Sequence, residues 1–307
     1  VNGIFTIDTR YVRPHMDASH LILDGGRAAF VDTGSEHSVP FLLEALAEHN
    51  IDAAQVDYLM LTHVHLDHAG GAGRLAAALP RAKVLVHPRG APHLADPSRL
   101  IAATRAVYGA QRFAELYGDI RPIPAARIAA VSDGQKIVLG TRTWEFIHTP
   151  GHALHHVCIV DREAGDIFTG DTFGVSYREF DTAAGEFVFT TSTPTQFDPS
   201  QLHASVERLL KFEPRALYLT HYGRVGDAPR LGADLHADID AFVSIARGAA
   251  SAADPVADMA PKLFAHLSAR LDAHGFAGDA ARRHAILDGD IELNAAGLAA
   301  WLARGAS

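Results

Sequence analysis

Short apolar runs broken by turn residues recur along the chain, and stretches of helical spacing lie between them. Three runs open it as expected strands, at 3–7 (GIFTI), 20–24 (HLILD) and 28–32 (AAFVD). The DGG at 24–26 makes the turn between the last two. Residues 39–49 (VPFLLEALAEH) place apolar side chains on one helical face, with Ser38 as N-cap and Pro40 in the first turn. The run at 56–62 predicts a buried strand, 71–80 a helix ended by Pro80, and 82–88 another strand. The alternation breaks at 91–125, where 98–118 reads as one amphipathic helix closed by Gly118. Strands resume at 136–140, 143–149, 156–161 and 166–171. An aromatic segment without clear period follows at 176–200, then a helix near 198–211, a strand at 216–220 and a helix near 227–247. Small residues closed by Asp-Pro at 248–255 read as a linker, and helical, Ala-rich patterns at 260–275 and 294–305 form a tail. Interleaved strands and helices imply an α/β arrangement of layered sheets and helices. The division expected is a main domain over 1–252 and a C-terminal helical extension over 253–307.

Composition narrows this picture. With 307 residues, 48% of them hydrophobic, the chain can bury a large core, and no apolar run has the length of a bilayer span. The net charge of -9 with no basic run argues against a nucleic-acid partner. One cysteine, Cys158, leaves no internal disulfide and fits a reducing, cytoplasmic setting with no membrane association. The outlier is histidine, with 19 residues.

Several of those histidines cluster where strands end. In 58–73 (YLMLTHVHLDHAGGAG), His63, His65 and Asp67 alternate, so an extended backbone would point all three to one side. His68 follows, before a glycine-rich turn. His152 sits in TPGH, Asp171 in FTGD and His221 in LTH, each at a strand end. Seven nitrogen and oxygen donors exceed the needs of one tetrahedral ion and suit two ions sharing a carboxylate and a solvent molecule. No thiolate stands among them, which excludes an iron–sulfur cluster or a structural thiolate zinc site.

THVHLDHAGG, TPGH, FTGD and LTH, in this order, resemble the metallo-β-lactamase fold superfamily over roughly residues 3–245, and 91–100 with TPGHALHH resemble a little-characterised hydrolase-like subgroup of it. The resemblance implies a four-layer αββα sandwich. It implies that His63, His65 and His152 hold one metal, that Asp67, His68 and His221 hold a second, and that Asp171 bridges. Zinc is the expected pair of ions, with iron or manganese as alternatives. A water shared by two cations loses a proton near neutral pH, so the reaction expected is hydrolysis of an ester, thioester or lactone by a metal-bridging hydroxide. Asp67 then orients the nucleophile and shuttles its proton. The alternatives are a small-molecule phosphodiesterase and a di-iron oxygen or nitric oxide reductase-like protein. The latter resemble this motif but carry Glu where this chain has His65, and they need a flavin partner.

Other residues have weaker claims. Tyr177, Phe187, Phe189 and Phe197 in the aromatic segment could wall a small-molecule pocket or pack as a hairpin. Tyr222 follows a ligand candidate and could donate to an oxyanion. His155 and His156 divide between orienting His152 and ordinary strand positions. Tyr108, Phe113 and Tyr117 read as a plain amphipathic face rather than a lid. His20, His203, His236, His266, His274 and His284 read as packing or surface residues. In the tail, Leu263, Phe264, Leu267, Leu271, Leu298, Trp301 and Leu302 form an apolar face that two short helices cannot bury alone, which leads us to expect a homodimer contact or a cap on the chain's own body.

Overall fold

The structure, a computed structural model, describes residues 2–192 and 196–305, so positions 193–195 of the aromatic segment lie outside the described residues. Its elements in order are β1 (Gly3–Asp8), β2 (Ala18–Asp24), β3 (Arg27–Val31), α1 (Val39–Glu48), β4 (Val56–Met60), α2 (Leu66–Ala69), α3 (Ala72–Ala78), β5 (Lys83–Val86), α4 (Ala91–Ala95), α5 (Ser98–Tyr108), α6 (Ala110–Tyr117), β6 (Ile128–Ala130), β7 (Lys136–Leu139), β8 (Arg142–His148), β9 (Val157–Asp161), β10 (Asp166–Gly170), α7 (Pro199–Leu210), β11 (Ala216–Leu219), β12 (Gly223–Val225), α8 (Ala228–Gly248), α9 (Pro255–Ala273) and α10 (Ala280–Ala303). They fall into two compact units. The first holds the chain to His148, His155–Gly170 and Arg215–Arg224; the second holds Thr149–Leu154, Asp171–Pro214 and the chain from Val225 onward.

The first unit is built on two six-stranded mixed sheets, ordered β1-β2-β3-β4-β5-β6 and β12-β11-β10-β9-β8-β7. β1, β2 and β3 pair antiparallel, while β3 to β6 run parallel, each reached by a crossover. The two-residue side-chain period sorts the core. Leu21, Leu23 and Phe30 face α1 and α3, meeting Leu42, Leu46, Leu75 and Leu79. Their neighbours Ile22, Ala29 and Val31 face the second sheet, meeting Trp144, Phe146, Val157, Ile159 and Phe168. β2 is buried on every residue because both of its faces are covered.

Three local readings change. The single helix expected at 98–118 is two, because Gly109 takes φ 77 and ψ 162 and breaks it into α5 and α6. The pair packs Phe113, Leu116 and Tyr117 onto Leu66, inside the histidine motif. Asp67 is not extended: His65 is the last β-like residue, and Asp67 and His68 lie in the single turn of α2. The tail helices are longer than expected; Asp254 and Asp279 cap them by accepting from Ala257 and Arg282 backbone N–H groups at 3.1 and 2.8 Å.

The second unit carries α7 to α10. The tail face, Leu263, Leu267, Leu271, Leu298 and Trp301, is buried inside this unit, each residue at most 7% exposed. Among the described residues no helix is long and apolar enough to cross a membrane.

Candidate metal centre

β4 ends at Met60, and the next three residues carry the chain into the site. Leu61 N–H still donates to Leu85 across the sheet, at 2.9 Å. Thr62 donates its N–H and hydroxyl to the two oxygens of Asp32, at 2.8 and 2.7 Å. Asp32 follows β3, is fully buried, and also accepts from the Thr220 hydroxyl after β11 at 2.9 Å and meets His68 Nδ1 at 2.8 Å. One carboxylate thus ties three strand ends to one imidazole. Asp17, equally buried, meets His221 Nδ1 at 2.6 Å. Burial pushes the Asp17 carboxyl up to about 6, against the opposing pull of the His221 ring.

These two contacts set the tautomers. Nδ1–H of His68 and of His221 points to a carboxylate, so each ring presents Nε2. Both Nε2 atoms stand 3.7 Å from Asp67 Oδ2. The ligand atoms of Asp67, His68 and His221 all lie within 4.8 Å of one another, close enough to hold one cation. His63 Nε2 and His65 Nδ1 approach to 2.7 Å and offer a second convergence of imidazole nitrogens. The donor set, neutral imidazole with carboxylate and the outer carboxylates that metal-bound histidines take, fits a divalent metal.

The second unit brings the remaining two candidates together. His152 Nε2 is 3.4 Å from Asp171 Oδ2, with both residues buried. The turn carrying His152 is held by α7: Ser205 donates to the Pro150 carbonyl at 2.6 Å, and Asp198 N–H to that of Gly151 at 2.8 Å. Gly151 has φ 133, and a Cβ there would meet Leu202 Cα at 2.4 Å, so glycine is required where the turn presses on the helix.

Around these ligands, His155 and His156 stack beside His63, with ring centroids 6.0 and 4.9 Å away. His20 lies buried with Nε2 3.2 Å from the Leu219 carbonyl, and burial lowers it to about 4. Tyr222 is half-buried, its ring 5.1 Å from that of His15. Tyr177, Phe187, Phe189 and Phe197 are buried in the second unit: Tyr177, Phe187 and Phe189 lie in one aromatic group with Phe180, and Phe197 lies against Trp301. The Tyr177 hydroxyl reaches Asp290 at 3.2 Å. Tyr11 and Tyr117 share a hydroxyl bond of 3.0 Å. Burial, with the charge of Asp67 added, pushes both hydroxyls up and keeps them neutral donors. Asp17 and Asp32, which lie against His221 and His68, are residues that the sequence pattern does not reveal. The one available signal is that Asp32 ends a strand directly before Thr-Gly, as the ligand candidates end theirs.

The family model for the metallo-beta-lactamase superfamily matches residues 12–221. The chain belongs to that superfamily. It is 27% identical over 175 residues to a metallo-beta-lactamase fold-containing protein, ST1585, of Sulfurisphaera tokodaii, across 56% of this chain and 62% of the relative. The crystal structure of ST1585, an archaeal metallo-beta-lactamase superfamily protein, matches with a TM-score of 0.69 at 21% identity, covering 97% of this chain and 98% of that one. A hydroxyacylglutathione hydrolase of Acidiphilium cryptum is 28% identical over 201 residues, 65% of this chain and 61% of the relative. An atrochrysone carboxyl ACP thioesterase of Aspergillus fumigatus is 28% identical over 155 residues, 50% of this chain and 36% of the relative. The sequence matches therefore span less than two thirds of these curated relatives. The fold shared with ST1585 extends through the C-terminal helices.

Proposed function

We propose that this protein is a metal-dependent hydrolase of an ester, thioester or lactone, working with two divalent ions, zinc first among them. The observation that carries the reading is the pair of imidazoles, His68 and His221, each held through Nδ1 by a buried carboxylate and each presenting Nε2 to Asp67. Such pre-orientation, in a buried pocket of mixed imidazole and carboxylate, is what a metal centre requires of its protein. In this reading Asp67, His68 and His221 would hold one ion and His63, His65 and His152 the other, with Asp171 as a ligand available to both. The bound cations would bring the pKa of a shared water near neutrality and polarise the substrate carbonyl. Asp67, with its Oδ2 beside His68 and His221, would orient that water and take its proton. Asp32 and Asp17 hold the two rings in the ligating tautomer.

The thioester side of the substrate range is supported by the relatives named hydroxyacylglutathione hydrolase and carboxyl ACP thioesterase. The test is elemental analysis of gently purified protein together with a panel of thioesters, lactones, phosphodiesters and β-lactams. We expect two ions per chain that depend on the motif residues, lost together in a His63→Ala/His221→Ala variant, and metal-dependent turnover of a thioester or lactone. Saturation at one ion, or turnover confined to phosphodiesters, overturns the reading.

A further inference from the structure

Away from the motif histidines, two more face each other across the second unit. His203 lies on α7 with Glu207 one turn later, and His236 lies on α8 with Asp240 one turn later. Their Nδ1 atoms are 2.6 Å apart, and the rings lie edge to edge with centroids 4.9 Å apart and planes 13° off parallel. Each Nε2 meets the carboxylate of the opposite helix: His203 with Asp240 at 3.2 Å, His236 with Glu207 at 2.9 Å.

With hydrogen on both Nε2 atoms, each beside a carboxylate, both Nδ1 atoms present lone pairs; with hydrogen on one Nδ1, the contact is an N–H···N hydrogen bond. Two lone pairs aimed at each other at this distance repel unless a cation lies between them. A shared proton is one such cation; a metal ion is the other. Bonds of 2.0–2.1 Å to two imidazoles place the nitrogens about 3.3 Å apart in a tetrahedral site, so the rings need part by less than about 1 Å. Both side chains are partly exposed, at 30% and 23%, and have that freedom. The carboxylate behind each ring repeats the device that holds His68 and His221, and the pair of carboxylates balances a divalent charge.

We propose that His203 and His236 form an additional metal site, apart from the two ions of the motif residues, taking one Zn(II), Ni(II) or Cu(II) ion through their two Nδ1 atoms, with water completing the coordination. The ion clamps α7 to α8, and α7 is the helix on which the His152 turn rests. This inference does not depend on the hydrolase reading.

The test uses untagged holoprotein, equilibrated with micromolar Ni(II) or Cu(II) and dialysed. Wild type is expected to hold one ion per chain more than the double variant His203→Gln/His236→Gln, to show a Cu(II) resonance spectrum with two-nitrogen coupling at that ion, and to gain thermal stability on addition of Ni(II) where the variant gains none. Glu207→Gln/Asp240→Asn, which keeps both ligands, is expected to weaken that ion's binding 10–100-fold. Equal metal content and equal thermal response in wild type and the ligand variant overturn the proposal and leave the pair bridged by a proton.

Discussion

Asp32 accepts from Thr62 and Thr220 and holds His68, so its removal leaves several buried donors without an acceptor. Asp32→Ala is expected to destabilise the fold by about 3 kcal/mol or more, read by urea unfolding. Asp17 acts on one ring only. Asp17→Asn should leave stability nearly unchanged and weaken metal retention 10–100-fold, measured by competition with a chelator. Asp171→Ala should abolish hydrolysis and weaken metal retention with the fold kept; an active variant with both ions retained refutes the bridging assignment. His20 makes a prediction about pH. Its folded value of about 4 lies below the ordinary 6.5, because burial disfavours the charged ring. Between those values the unfolded chain binds a proton that the folded chain does not. Stability is therefore lost as pH falls from about 6.5 to about 4, by about 3 kcal/mol in all. His20→Gln should flatten the slope of unfolding free energy against pH in that window.

Among the elements, the helical pair α5–α6 and the His152 turn show how supports reach the ligands. The insertion reads as a plain amphipathic face, and its apolar residues do pack; what they pack on is Leu66, between two ligand candidates. The His152 turn is fastened to α7 by the Ser205 hydrogen bond to the Pro150 carbonyl and by the close approach of Gly151 to Leu202. Gly151→Ala drives a methyl group into Leu202, which should cost about 1–3 kcal/mol and displace the turn. The expected outcome is a folded protein, by circular dichroism, whose metal content falls.

For the molecule as a whole, the tail helices belong to the core of their unit. Asn294 is buried and accepts from Ser192 N–H at 2.6 Å, and Thr182 donates to the His274 carbonyl at 2.7 Å, so the tail fastens the segment that follows Asp171. Leu298→Ala is expected to cost 2–5 kcal/mol by thermal or urea unfolding. A homodimer through this tail would have to use faces other than the buried leucine stripe, and light scattering, by a mass near twice 32.8 kDa, tests it.

The metal motifs were legible because their information is local. A strand end, a run of imidazoles and a Pro-Gly or Gly-Asp turn each occupy a few adjacent residues, and their order along the chain is enough to read a family. The strands were legible for the same reason, since a period of two is a property of neighbours. The break at Gly109 and the single turn of α2 were not, because a glycine-tolerant helix and an extended His-x-His-x-Asp look alike until packing chooses. Asp17 and Asp32 were invisible as ring-holders, since their partners follow other strands; Thr220, which donates to Asp32, is 188 residues away. His203 and His236 lie on separate helices, and their sequence shows two ordinary helical histidines. Residue spacing determines which side chains can share a face. Only the tertiary structure decides what that face meets, because the partner is chosen by burial and charge summed over the whole chain.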